Sequence, residues 1–149
     1  MTDARAAIST LIYTYAERID AGDFEGVSKL FADAVVTAEG GIECRGSDEV
    51  LAMYTGATRR YEDDGTPKSK HVTTNLIIEV DEAAGTAACR SYFTVLQAVP
   101  GQLPLQPVCA GRYRDTFVRA DGGWRFASRH MIMDLVGDLS RHLLMDLPA

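Results

Sequence analysis

Hydrophobic residues in the first part of the chain recur at the spacing of an α-helix. Between residues 3 and 20 the apolar side chains return every three or four positions, which predicts an amphipathic helix. These residues are Ile8, Leu11, Ile12, Tyr15 and Ile19. Asp3 is a suitable N-cap for this helix, and Gly22 a suitable stop. A second, short helix is expected after Asp23 and a third after Ser47.

From residue 70 onward the hydrophobic pattern alternates with a period of two, which is typical of strands. Together with two short earlier segments, the pattern predicts strands at residues 35–38, 42–44, 70–80, 86–99, 108–119 and 123–133. The intervening residues 100–107 contain proline and glycine and are expected to form a loop. Residues 134–149 are expected to form a tail or lid, with a short helix as the other possibility. Helices followed by long antiparallel strands indicate one α+β domain over residues 1–149.

The charge of the chain restricts its partners. The 149 residues carry a formal net charge of −6, which argues against nucleic acid or an anionic membrane as a partner. No apolar run approaches the length of a membrane span, and the first residues lack the pattern of a signal peptide. We therefore expect a cytoplasmic protein.

Cysteine and histidine usage gives no sign of a cofactor or metal. The cysteines are Cys44, Cys89 and Cys109, and the histidines are His71, His130 and His142. An odd number of cysteines without a CxxC pair predicts neither a disulfide framework nor a zinc site. The histidines are far apart in the sequence, and there is no Gly-rich phosphate loop or dinucleotide fingerprint. We expect no cofactor and no metal.

Several short motifs follow one another in a characteristic order. They are Tyr15-Ala-Glu-Arg-Ile-Asp20-Ala-Gly-Asp23-Phe24, Leu30-Phe31-Ala-Asp33, Arg45-Gly46, Lys70-His71-Val-Thr-Thr-Asn75, Gly111-Arg-Tyr113-Arg-Asp115 and Asp121-Gly-Gly-Trp124-Arg-Phe126. In this order the chain resembles the SnoaL-like, nuclear transport factor 2-like superfamily, in the group of lindane dehydrochlorinase, scytalone dehydratase and bile acid 7α-dehydratase. The resemblance implies a curved, mostly antiparallel sheet with N-terminal helices around a cone-shaped pocket. It implies much less about activity, because this fold hosts many functions.

The resemblance also implies candidate catalytic residues. In the lyases of this group, an aspartate that closes the first helix pairs with a histidine that opens the first long strand. Asp20 and His71 occupy those positions. Bile acid dehydratase also has a tyrosine at the position of Tyr15, and the dehydrochlorinase has a residue at the position of Arg129 that assists the departing anion. The second histidine of scytalone dehydratase has no counterpart in residues 108–111.

His71 is the central candidate on chemical grounds as well. A histidine backed by a carboxylate such as Asp20 can act as a general base, because the carboxylate fixes the tautomer and stabilises the imidazolium. The alternative is a strand-edge histidine that bonds solvent or a backbone carbonyl. The hydroxyl of Tyr15 is able to polarise a substrate oxygen, and plain core packing is the alternative for this residue.

Three further residues are candidates for substrate contacts. By strict alternation Asn75 shares the face of His71, where it would orient a substrate or bond the backbone. Arg129 suits a departing anion, with a solvated strand arginine as the alternative. Glu39 stands where ketosteroid isomerase has its acidic base, but it also adjoins a Gly-Gly pair and fits an exposed turn residue.

Two functions are compatible with these residues. The first is a cofactor-independent lyase or isomerase, of the dehydratase or elimination type, acting on a small apolar or cyclic molecule with His71 and Asp20 as general base. The second is a non-catalytic ligand-binding or subunit-assembly module of the same fold. A homodimer through the sheet face is expected in both cases. The first function calls for a hydrogen bond between His71 and Asp20 beside an enclosed cavity.

Overall fold

A computed structural model describes residues 3–145 of the chain. Its helices are α1 (Ala4–Asp20), α2 (Phe24–Leu30) and α3 (Gly46–Ala57), and its strands are β1 (Val35–Ala38), β2 (Ile42–Arg45), β3 (Ser69–Asp81), β4 (Thr86–Val99), β5 (Leu103–Ala120) and β6 (Gly123–Val136). The helices precede the long strands, which confirms the α+β prediction. No helix within the described residues is long and apolar enough to cross a membrane.

The strands form one sheet in the order β2-β1-β6-β5-β4-β3. The β1–β6 pair is parallel and the others are antiparallel. Bulges interrupt the β3–β4, β4–β5 and β5–β6 ladders, and such bulges bend and twist strands. The result is the curved, mostly antiparallel sheet with N-terminal helices that the resemblance implies.

Helix α1 lies against the sheet and carries the site at its C-terminal end. Its apolar face is buried, as the helical spacing predicts; the buried residues include Ile8, Ile12, Tyr15 and Ile19. The Asp3 carboxylate caps the first turn by accepting from the Arg5 backbone N–H at 2.9 Å. Gly22 follows the helix with φ +75°, and a Cβ there would lie 2.0 Å from the carbonyl oxygen of Gly65. This close approach requires glycine and fixes the turn directly after Asp20.

The alternation in β3 is broken at Asn75, contrary to the prediction that Asn75 shares the face of His71. Asn75 has φ +58° and lies where the register with β4 shifts, between Thr74 and Ile77. Because a bulge adds a residue to one strand, the faces exchange beyond it. Asn75 is therefore exposed, whereas Leu76 is half-buried.

The predicted loop at residues 100–107 is wrong in its second half, because β5 begins at Leu103. Residues 103–107 pair with β4 only, since β6 joins β5 from Cys109 onward. Within residues 3–145 this stretch therefore has one unpaired edge, and prolines are tolerated on such an edge.

The C-terminal segment differs from the prediction in two respects. Strand β6 continues to Val136, so the first residues of the predicted tail belong to the sheet. Residues 137–145 form turns and a bridge between Leu143 and Thr58 instead of a helix. The remainder of the predicted tail, residues 146–149, lies outside the described residues.

Candidate active site

Asp20 and His71 form a hydrogen-bonded pair at the junction of α1 and β3. The Nδ1 atom of His71 lies 2.7 Å from Oδ1 of Asp20. Asp20 is further held by the backbone N–H of His71 at 2.7 Å and by the hydroxyl of Ser69 at 3.0 Å. The ring therefore bonds a carboxylate and not a backbone carbonyl. In the tautomer in which Nδ1 donates its proton to the carboxylate, the lone pair is on Nε2.

Three hydrogen-bond donors stabilise the negative charge of Asp20 at the C-terminus of α1. A carboxylate at a helix C-terminus faces the negative end of the helix dipole and needs favourable partners. The ring of His71, its backbone N–H and the Ser69 hydroxyl supply them. The side chains of His71 and Asp20 are only 7% and 9% exposed, so little water competes with these hydrogen bonds.

An open groove of roughly 460 Å³ between α1 and β3 borders the pair. It is lined by Tyr13, Ala16, Glu17, Asp20, Ala21, Lys70, His71 and Thr73. Because β3 is the last strand of the sheet, no further strand among the described residues covers this side. The groove gives a small molecule access to the pair, but it is open where an enclosed cavity was expected for a lyase.

Tyr15 packs edge-on against the ring of His71, with ring centroids 6.2 Å apart and planes at 90°. Its hydroxyl lies 2.6 Å from that of Tyr54. Burial raises the pKa of both tyrosines, so both are neutral and able to donate near pH 7. The Tyr54 hydroxyl also lies 3.9 Å from the sulfur of Met131. Tyr15 is buried and is not among the residues that line the groove, so the structure supports the packing interpretation of Tyr15 directly.

Arg129 is fully buried, so its interpretation as a solvated strand arginine is wrong. Its Nε and Nη2 atoms donate to the two carboxylate oxygens of Asp115 at 2.8 and 2.9 Å. The guanidinium also lies 3.7 Å from the ring centroid of Tyr113 and 4.3 Å from that of Tyr15. Burial disfavours its charge, yet Asp115 holds the pKa of Arg129 above its ordinary value. The Arg129 guanidinium thus packs against the ring of Tyr15, and Asp115 balances its charge.

Glu39 and Asn75 lie apart from these residues. Glu39 is exposed in the turn after β1, and its Oε1 accepts from the backbone N–H of Met133 at 3.2 Å. Asn75 is exposed at the bulge of β3. The structure thus brings together His71, Asp20 and Tyr15, with Arg129 behind them.

Tyr54 and His142 belong to this region and were not predicted from the sequence. His142 is buried, and its ring centroid lies 6.2 Å from that of His71. The two histidines are far apart in the sequence, so no spacing indicates their contact. The one signal in the sequence is the mixture of apolar and polar residues after residue 134, which is typical of a segment that packs against a domain.

Comparisons with known proteins agree with this architecture. Residues 1–130 match the SnoaL-like domain family. A search of curated proteins finds no match.

Solved structures show the same fold. An NTF2-like protein with a cystatin-like fold from Novosphingobium aromaticivorans is 24% identical, with 87% of this chain and 81% of that chain covered and a TM-score of 0.73. A candidate scytalone dehydratase from the same organism is 23% identical, with 90% and 86% covered and a TM-score of 0.71. LinA is 22% identical, with 97% and 93% covered and a TM-score of 0.69.

Proposed function

Because the chain belongs to the SnoaL-like domain family, we propose that it is a cofactor-independent lyase or isomerase acting on a small apolar or cyclic molecule. His71 is the general base, Asp20 orients it and Tyr15 is a hydrogen-bond donor to the substrate. The 2.7 Å contact between His71 Nδ1 and Asp20 Oδ1 is the observation that carries this proposal. It leaves Nε2 as the proton acceptor.

The proposed reaction begins with proton transfer from a carbon acid to Nε2 of His71. The new imidazolium is stabilised by the Asp20 carboxylate, which is itself fixed by the Ser69 hydroxyl and a backbone N–H. Electron density moves from the C–H bond toward a neighbouring oxygen or leaving group. Such a positioned base contributes about 10²- to 10⁴-fold to the rate.

In this proposal the neutral hydroxyl of Tyr15 stabilises negative charge that develops on the substrate. Burial raises the pKa of Tyr15, and the positive charge of Arg129 partly offsets that effect. The guanidinium lies 4.3 Å from the Tyr15 ring centroid. Its positive charge makes the Tyr15 hydroxyl a stronger hydrogen-bond donor than the hydroxyl would be without a nearby cation. Tyr15 thus acts as a donor and not as a base.

The proposal is tested by following deuterium incorporation from D₂O into a panel of small cyclic ketones by NMR. Exchange at the carbon next to the carbonyl reports proton abstraction without knowledge of the natural substrate. We expect His71→Ala to abolish exchange above background and Asp20→Asn to reduce it strongly. His130→Ala is the matched control, because His130 bonds Thr37 outside the groove. Exchange retained in His71→Ala with an intact fold would refute the proposal.

One observation favours the second candidate function, a non-catalytic binding module. The groove beside His71 is open, and binding requires a surface but no protected base. This function predicts that the ketones bind without any deuterium exchange in the wild-type protein. The same experiment therefore separates the two functions.

We also propose that the outer sheet face pairs with a second copy of the chain. The register places Val72 and Leu135 in one row across β3, β4, β5 and β6, with Tyr92 in the adjacent row. These three side chains are 41%, 68% and 52% exposed, and large apolar side chains exposed on one face of a sheet favour an interaction surface there. Light scattering should give the mass of a dimer, and Leu135→Glu should shift it to a monomer. A strictly monomeric wild-type protein would contradict this.

We also propose that the protein is located in the cytoplasm. Cys44, Cys89 and Cys109 are free thiols, which is the ordinary state of cysteine in a reducing compartment. Microscopy of a fluorescent fusion in the source cell tests the location, and export from the cytoplasm would contradict it.

A further inference from the structure

We propose that His142 is a specificity-determining residue of the site, a neutral imidazole that hydrogen-bonds an uncharged hydroxyl or carbonyl oxygen of the substrate. This inference rests on the proposed function, because it concerns the ligand of His71. It assigns the substrate an oxygen atom at hydrogen-bond distance from the imidazole of His142, next to the carbon that gives its proton to His71.

The backbone of His142 is held without any help from its side chain. Its carbonyl accepts from the Arg59 backbone N–H at 2.8 Å, and its own N–H donates to the Leu139 carbonyl at 3.0 Å. The neighbouring Leu144 N–H donates to the Ala57 carbonyl at 2.9 Å. The carbonyl of Arg141 accepts from the Gln97 side chain. These bonds hold the segment against the end of α3 and against β4. The imidazole ring makes none of them, so the position of the segment does not depend on the ring.

The ring itself has unused hydrogen-bonding capacity in a buried place. His142 is 6% exposed, and its Nδ1 atom is buried without a hydrogen-bond partner among residues 3–145. Buried polar atoms are nearly always paired with protein, water or ligand. Because the ring of this unpaired nitrogen lies 6.2 Å from the ring of the proposed base, a substrate bound at His71 can supply the missing partner.

The two rings are close enough for one small substrate to contact both of them. Their centroids are 6.2 Å apart with planes inclined at 54°. A substrate whose C–H bond lies at Nε2 of His71 can therefore reach His142 with a neighbouring oxygen, at the usual N···O hydrogen-bond length of about 2.9–3.0 Å. A direct hydrogen bond between the histidines is not present among the described contacts.

The charges around His142 favour a substrate oxygen that is itself uncharged. Burial lowers the pKa of His142 to about 4, and the neighbouring His71 lowers it while Asp20 raises it. His142 is therefore neutral near pH 7 and cannot attract an anion by charge. The buried cation nearby, Arg129, already has its charge balanced by Asp115. Hydroxyl and carbonyl groups match this set of neutral donors and acceptors better than a departing halide or a carboxylate.

The test compares phenol with toluene, which has the same ring with a methyl group in place of the hydroxyl. Binding is measured by NMR, together with the ring ¹⁵N resonances of His142 in the same samples. We expect phenol to bind the wild type about 3- to 10-fold more tightly than toluene, the effect of one neutral hydrogen bond. We also expect phenol, but not toluene, to shift the His142 ring nitrogens.

Three variants make the test specific. His142→Phe should remove the preference for phenol, and His142→Asn should restore part of it through its amide. Arg141→Ala is the matched control in the same segment and should keep the preference. Equal binding of both probes by the wild type, unshifted His142 nitrogens, or a preference that survives in His142→Phe would overturn the inference. The ring nitrogens of His71 in the probe-free spectra report the pair with Asp20, so failure of the proposed function is seen separately.

Discussion

Replacing Asp115 with asparagine should destabilise the fold severely. Asp115 and Arg129 are both 0% exposed at their side chains and are joined by two hydrogen bonds. The substituted amide would keep the shape of the side chain but leave the buried guanidinium without a counter-charge. Removal of one partner of a buried pair costs about 3–5 kcal/mol. For a domain of this length, that corresponds to a fall in Tm of about 6–20 °C.

The chain offers a matched control for this prediction. Arg112 and Asp134 form the same two-point contact, at 2.8 and 3.0 Å, but their side chains are 37% and 40% exposed. An exposed pair contributes about 0–1 kcal/mol, so Asp134→Asn should lower Tm by no more than about 4 °C. The comparison isolates burial, because the chemistry of the two substitutions is identical.

Thermal and urea unfolding, followed by circular dichroism, measure both effects. The double variant Asp115→Leu with Arg129→Met should recover most of the stability lost in Asp115→Asn, because it removes the unpaired buried charge. Equal and small effects of Asp115→Asn and Asp134→Asn would show that Arg129 does not depend on Asp115 and is instead solvated or neutralised by another group.

Two further predictions concern acid stability and the turn after α1. Because the pKa of His142 is lowered from 6.5 to about 4 by burial, the unfolded chain binds more protons between these values, and stability should fall as the pH drops from 6.5 to 4, by at most about 3 kcal/mol. Urea unfolding across this range should show His142→Phe losing less stability than the wild type, and parallel curves would contradict the assignment. Gly22→Ala should lower the free energy of unfolding at least twice as much as Gly40→Ala, because both glycines have positive φ but only Gly22 faces a backbone oxygen at 2.0 Å. Equal losses, with Gly40→Ala costing about 1 kcal/mol, would show that the turn at Gly22 can relax.

The parts of the fold that follow a regular period were predictable from the sequence. The boundaries of β4 agree with the prediction, and Asp3 caps α1 as expected. The failures occur where one residue breaks the period. At Asn75 a bulge exchanges the two faces of β3, and at Leu103 a strand continues through prolines because one of its edges is unpaired.

The site was predictable only as far as the resemblance reached. It placed Asp20 and His71 at matching positions, and the structure joins them by a hydrogen bond. The burial of Arg129 depends on Asp115, which lies directly across from it on the neighbouring strand. The approach of His142 depends on how the C-terminal segment docks. Neither contact leaves a periodic signal in the sequence, since both are set by tertiary packing.

The protonation of the two ring nitrogens of His71, measured by ¹⁵N NMR near pH 8, tests the role of this residue most directly. We expect a proton on Nδ1, where the ring lies 2.7 Å from Asp20, and an unprotonated Nε2. We also expect Asp20→Asn to lose this single tautomer. A proton on Nε2 in the wild type, or the same tautomer in Asp20→Asn, would contradict the assignment of His71 as a base oriented by Asp20.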